Sequence, residues 1–139
     1  MTVPMTAVAP HYLLVGETSD IPLLRTIVER LPLDAYGQIF VEVIGHGQIQ
    51  DWDVPENMTL TWLRRDLSSR AYGGVALRGE VASRAVMAWV SEWIPERKSA
   101  RDLPYILWIG CSANDEVDRL YHHLLHRFER LHLHHPDFG

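Results

Sequence analysis

Two apolar runs that each stop at a glycine constrain this chain most. Residues 11–16 read H-Y-L-L-V-G and residues 105–110 read Y-I-L-W-I-G. Neither run alternates polar with apolar, so a strand built from either must be covered on both faces. Between and after them the apolar period lengthens to that of a helix. Ile21, Leu24, Ile27, Val28 and Leu31 share one helical face, with Ser19 or Asp20 as cap, Pro22 in the first turn and Pro32 as the stop. Strands that alternate with helices argue for a parallel sheet with helices on both sides.

The remaining segments fit that scheme. A second strand covers residues 38–44 and ends at Gly45-His46-Gly47. Residues 48–57, with Trp52 and Pro55, lack a helical period and read as a loop crossing. Residues 58–63 (M-T-L-T-W-L) alternate, as a strand near a sheet edge does. Residues 64–74 read as loop, residues 75–93 as a helix ended by Pro95, and Ser112 with Asp115 as a capping box for a last helix reaching about Arg130. The fold class expected is α/β, three-layered, with a mostly parallel sheet and helices on both faces. At 139 residues the chain is expected to form one domain, with residues 1–10 and 131–139 irregular or, in the tail, a short strand.

Composition narrows the function classes. A net charge of −5 leaves no electrostatic footprint for nucleic acid and disfavours an anionic membrane. No apolar run is long enough to span a bilayer, so no membrane insertion is expected. One cysteine, Cys111, excludes an internal disulfide and points to a reducing, cytoplasmic compartment. Residues 1–10 lack a basic segment and read as a frayed leader, not a signal peptide. Lys98 is the single lysine beside twelve arginines, which leaves arginine as the cationic ligand group.

In an open α/β sheet the ligand crevice lies at the carboxyl ends of the strands, where strand order reverses. With the first and fourth strands as neighbours, two loops frame it: Gly16-Glu17-Thr18-Ser19-Asp20 and Gly110-Cys111-Ser112-Ala113. Each begins with a glycine that permits close approach and leads into a helix start that attracts negative charge. Ordinary turn chemistry explains the same residues, and neither loop is a G-x-G-x-x-G or Walker sequence. Arg64 and Arg65, at the end of the third strand, read either as a phosphate fork or as solvated surface. Cys111 reads as a small packing residue before a reactive thiol. His122 and His126 lie one helical turn apart, but no carboxylate or cysteine completes a ligand set, so an exposed helix face is the simpler reading. Trp62 and Trp108 read as core.

Taken in order, these pieces resemble the C-terminal domain of the siderophore-interacting proteins, relatives of the ferredoxin reductases. The family's G-D-E-T-x-L-P segment is similar to V-G-E-T-S-D-I-P at residues 15–22, with Gly16, Ile21 and Pro22 in register. Its L-P helix end resembles Leu31-Pro32, its next apolar strand residues 39–43, and its W-L-x-R piece Trp62-Leu63-Arg64-Arg65. Its W-x-A-G-E strand end resembles residues 108–112 in position. The resemblance implies binding of NAD(P)H, with hydride passed to a flavin that then reduces ferric iron held by a siderophore. It implies Gly16, Glu17, Thr18, Ser19, Gly110, Cys111 and Ser112 for the nicotinamide side and Arg64 and Arg65 for phosphate, with no catalytic side chain and no metal. Three departures accompany it. A chain this short leaves no room for the flavin barrel, so FAD would come only through a separate flavin-binding partner. Ser112 stands where the family has an acid. The family's closing Y-W-R segment is replaced by L-H-L-H-H-P-D-F-G. These departures keep a non-catalytic binding or regulatory module of the same fold open as the alternative.

Overall fold

The computed structural model describes residues 10–67, 76–94, 105–110, 114–127 and 132–134. Residues 1–9, 68–75, 95–104, 111–113, 128–131 and 135–139, Cys111 and Ser112 among them, lie outside the described residues. Five strands form one parallel sheet: β1 (His11–Glu17), β2 (Tyr36–Val43), β3 (Met58–Arg64), β4 (Tyr105–Ile109) and β5 (His132–His134). Their order is β3-β2-β1-β4-β5, so the most apolar runs of the sequence take the two positions flanking the reversal. Every recorded pairing is parallel, including Val15 with Ile109 in the β1–β4 ladder.

Helix α1 (Ile21–Glu29) covers one face of the sheet, and α2 (Glu80–Trp93) with α3 (Asp115–Arg127) covers the other. Pleating sorts β1 accordingly. Tyr12 and Leu14 join Leu24, Val28, Ile39 and Val41 on the α1 side, whereas Leu13 and Val15 join Val86, Val90, Leu107 and Leu124 on the α2 side. Leu13, Leu14, Leu24, Ile39, Leu107 and Leu124 have lost essentially all water contact, a gain of roughly 1.5–3 kcal/mol each. Trp62 and Trp108 pack against the α1-side core, as expected of core residues.

Three differences from the sequence expectation bear on the site. Helix α2 starts at Glu80, not at residue 75, because Gly79 takes a left-handed φ of +86° and because its start is tied down from another strand, as described below. Leu77, inside the span expected to be helical, is more than half exposed. Strand β3 runs through Arg64 into a 3-10 turn at Arg65–Leu67, where a loop was expected. The cap of α3 is Asn114, whose side-chain oxygen accepts from the Val117 amide at 3.0 Å. The Ser112 cap read from the sequence falls outside the described residues.

Candidate functional site

The carboxyl ends of β1 and β4 meet as the glycine-ended pattern requires, and the Gly110 amide donates to the Val15 carbonyl at 2.7 Å. Gly16 and Gly110 therefore sit side by side at the point of strand reversal. The room left by their missing side chains is already filled. A Cβ on Gly16 would lie 2.8 Å from Asp20 Cβ and 2.9 Å from a Leu24 methyl carbon. A Cβ on Gly110 would lie 2.7 Å from Asp20 Oδ2 and 2.9 Å from the Trp108 ring. The buried Asp20 carboxylate also accepts the Glu17 amide at 2.9 Å, and the Glu17 side chain accepts in return from the Asp20 amide. Asp20 thus braces the turn after β1, and no side-chain hydrogen bond from it caps α1.

One step along the sheet, the register of β1 and β2 sets Glu17 directly beside Glu42. Like charges in adjacent positions repel, and each carboxylate is answered separately. Glu42, only 3% exposed, accepts the amides of Gly79 at 2.7 Å and Ala82 at 2.9 Å. These are open amides of the first turn of α2, so a strand residue caps that helix from across the core. Glu17 takes a two-pronged pair from Arg78, Nε to Oε1 at 2.9 Å and Nη2 to Oε2 at 2.7 Å. Asn114 joins the two helix starts, donating to the Arg78 carbonyl at 2.8 Å while it caps α3.

A cavity of about 150 Å³ opens here, lined by Glu17, Thr18, Glu42, Ile44, Gln48, Arg65 and Arg78. Three residues singled out in the sequence, Glu17, Thr18 and Arg65, come together in it. Arg65 donates Nε to the Ala76 carbonyl at 2.9 Å, and among the described residues no acceptor takes its terminal nitrogens. Arg64 is placed otherwise. Its register partner Val43 belongs to the α1 face, and its guanidinium grips Asp66 at 3.0 and 2.9 Å. That contact holds the Asp66 carboxyl below its usual range and lifts Arg64 further. Glu42 and Arg78 were not read from the sequence as site residues. An acid inside the apolar run I-F-V-E-V-I is the signal that marks Glu42. Arg78 carries no local signal.

A larger cavity, about 690 Å³, lies elsewhere, between the C-terminal end of α1 and residues 51–55, and shares no lining residue with the first. Its wall includes Arg25, which donates to the Asp51 carbonyl at 3.0 Å and stacks 4.8 Å over Trp52. Among the described residues no group of three or more His, Cys, Asp or Glu could hold a metal ion, and no helix is long and apolar enough to cross a membrane.

Known proteins fit this architecture. The family model described as Siderophore-interacting protein matches residues 9–134. The chain belongs to the siderophore-interacting protein family. Among curated proteins, ferric vibriobactin reductase ViuB of Vibrio cholerae is 33% identical over 63 residues, which is 45% of this chain and 23% of that protein. A siderophore utilization protein from T. fusca superposes with a TM-score of 0.64 at 25% identity, covering 92% of this chain and 44% of the other. The siderophore-interacting protein SipS from Aeromonas hydrophila gives 0.50 at 26% identity over 73% of this chain and 38% of its own. The chain therefore spans about a quarter of the length of the curated relative and less than half of the solved ones. The parallel α/β sheet flanked by helices is the fold these siderophore-interacting structures share with it.

Proposed function

We propose that this chain is the pyridine-nucleotide-binding part of a siderophore-interacting protein, acting in iron–siderophore utilisation in the cytoplasm. The observation that carries this reading is the crevice at the strand reversal between β1 and β4, in a chain that matches the family across residues 9–134. Open α/β sheets bind nucleotides at that point.

The residues present fit one group of such a ligand at a time. A cavity of about 150 Å³ is smaller than the roughly 300–1,000 Å³ of pockets that enclose a drug-sized ligand. A dinucleotide would lie across the crevice, past the Gly16 and Gly110 turns, with one phosphoryl group in the cavity. Arg65 supplies terminal nitrogens to that group, and Thr18 its hydroxyl. Ser19 follows Thr18 and is assigned to the nicotinamide side, with Cys111 and Ser112 assigned there from sequence. Glu42 does not take the ribose hydroxyls, although an acid near this point does so in many dinucleotide folds. Its two oxygens hold the start of α2. When bound, NAD(P)H supplies hydride for a flavin carried by a separate domain or protein, which in turn reduces ferric iron in a siderophore.

Thermal unfolding with NADPH and with NADH tests the reading. Ligand at a hundredfold excess over Kd stabilises the folded state by about 2.7 kcal/mol. A rise in Tm with either nucleotide is expected, and Arg65→Ala weakens it for NADPH. No shift with either at millimolar concentration removes the reading. The alternative, a binding or regulatory module without redox chemistry, is favoured by the Glu17 carboxylate on the cavity and by the filled space at both glycines. It predicts that null result.

A further inference from the structure

We propose that Glu17 is an internal competitor for a phosphoryl group, holding Arg78 until an anionic ligand displaces it. The inference rests on the nucleotide reading of the crevice and adds to it a residue that weakens binding.

The contact between Glu17 and Arg78 has the shape of ligand recognition. Two parallel N–H···O bonds from one guanidinium are the geometry by which arginine grips carboxylate and phosphate alike. The partners are unequally exposed, with the Arg78 side chain at 48% and Glu17 at 15%, so an incoming anion reaches the cation first. Arg65 stands on the same cavity with no acceptor for its terminal nitrogens among the described residues. A phosphoryl group placed there gains two guanidinium partners, whereas Glu17 has one.

Glu17 is also the carboxylate of the pair that can be released. Glu42 beside it is buried and fixed by two amides of α2. Glu17 retains its accepting bond from the Asp20 amide, which lies on its own turn and does not depend on Arg78. Arg78 precedes Gly79, the left-handed residue at the start of α2, so its backbone stays anchored through Glu42 and Asn114 while its side chain changes partner. Displacement then exchanges one anion for another at a fixed fork and leaves the fold intact.

The test is calorimetric titration of the full chain with inorganic pyrophosphate, NADPH and NADH, in wild type, Glu17→Gln and Arg78→Lys. Glu17→Gln keeps an oxygen for the Asp20 amide and removes the competing charge. It is expected to bind pyrophosphate and NADPH about tenfold tighter, the size of one charge-assisted hydrogen bond discounted for exposure. Arg78→Lys keeps the charge without the fork and is expected to bind both about tenfold more weakly. Should Glu17→Gln fail to fold by circular dichroism, Glu17→Ala takes its place, with the same tightening expected and unchanged affinity overturning the competitor role. NADPH bound equally by all three proteins overturns the competitor role and leaves the nucleotide reading standing. Pyrophosphate bound more tightly by Glu17→Gln with no NADPH binding in any protein supports the competitor and overturns the nucleotide reading. No binding of any ligand to any protein overturns both.

Discussion

Replacing Glu42 by alanine tests how the crevice is held open. Its carboxylate is 3% exposed and accepts two amides from the first turn of α2, at 2.7 and 2.9 Å. Losing an N-terminal cap costs about 1 kcal/mol, with extremes near 2. Hydrogen bonds to a charged group contribute about 1.5–3 kcal/mol, and orphaned buried amides add desolvation of similar size. The substitution also relieves repulsion from Glu17, the register partner of Glu42, which offsets a few tenths to about 1 kcal/mol. The net expectation is a loss of roughly 3 kcal/mol, or a fall in Tm of about 10 °C for a domain of this size. Urea unfolding followed by circular dichroism measures it, with Glu42→Gln as the companion. The amide keeps one accepting oxygen but turns its NH2 toward the second backbone donor, so about half of the loss is expected. A fall of under 1 kcal/mol for Glu42→Ala would refute the claim that this acid fixes the start of α2.

Other consequences follow from single contacts. Gly79→Ala forces a side chain onto a backbone with φ +86° and sets its Cβ 2.3 Å from Asn114 Oδ1, so a loss above roughly 2 kcal/mol is expected in the same urea assay; a neutral result would refute the packing of the two helix starts. Gly110→Ala meets Asp20 and Trp108 below 3 Å and should cost about 1–3 kcal/mol, whereas unchanged stability would show that Asp20 does not fill that space. His11 is enclosed by Tyr36, Trp89, Trp93 and Tyr105, and burial pushes its pKa below the ordinary value. Below pH about 6.5 the unfolded chain takes up that proton more readily than the folded one, so stability falls as pH drops. The stability gap between wild type and His11→Phe should therefore shift in favour of the variant from pH 7.5 to 5.5, and a gap independent of pH would refute the assignment.

The sheet and its point of reversal were legible because they follow from local pattern. Apolar runs such as L-L-V-G and I-L-W-I-G demand cover on both faces, and the interleaved helical periods provide it. The site was legible only in part. Gly16, Glu17, Thr18 and Gly110 border the crevice because they end or follow central strands. Arg64 and Arg65 look equivalent as a pair, yet the first belongs to the α1 face and only the second lines the cavity, a consequence of pleating at the last residue of β3. Glu42 is marked by its place inside an apolar run, but its partners, like those of Arg78 and Asn114, lie 36 to 61 residues away, a distance over which a sequence does not show who pairs with whom. The start of α2 was misplaced for the same reason, since a residue of β2 determines where that helix begins.

Chemical-shift mapping of the isotope-labelled chain with NADPH tests the central claim most directly. The account predicts the largest saturable shifts at the amides of Gly16, Thr18, Arg65, Arg78 and Gly110. Shifts concentrated at Trp52 and Val54 beside the larger cavity, or none at millimolar nucleotide, would contradict it.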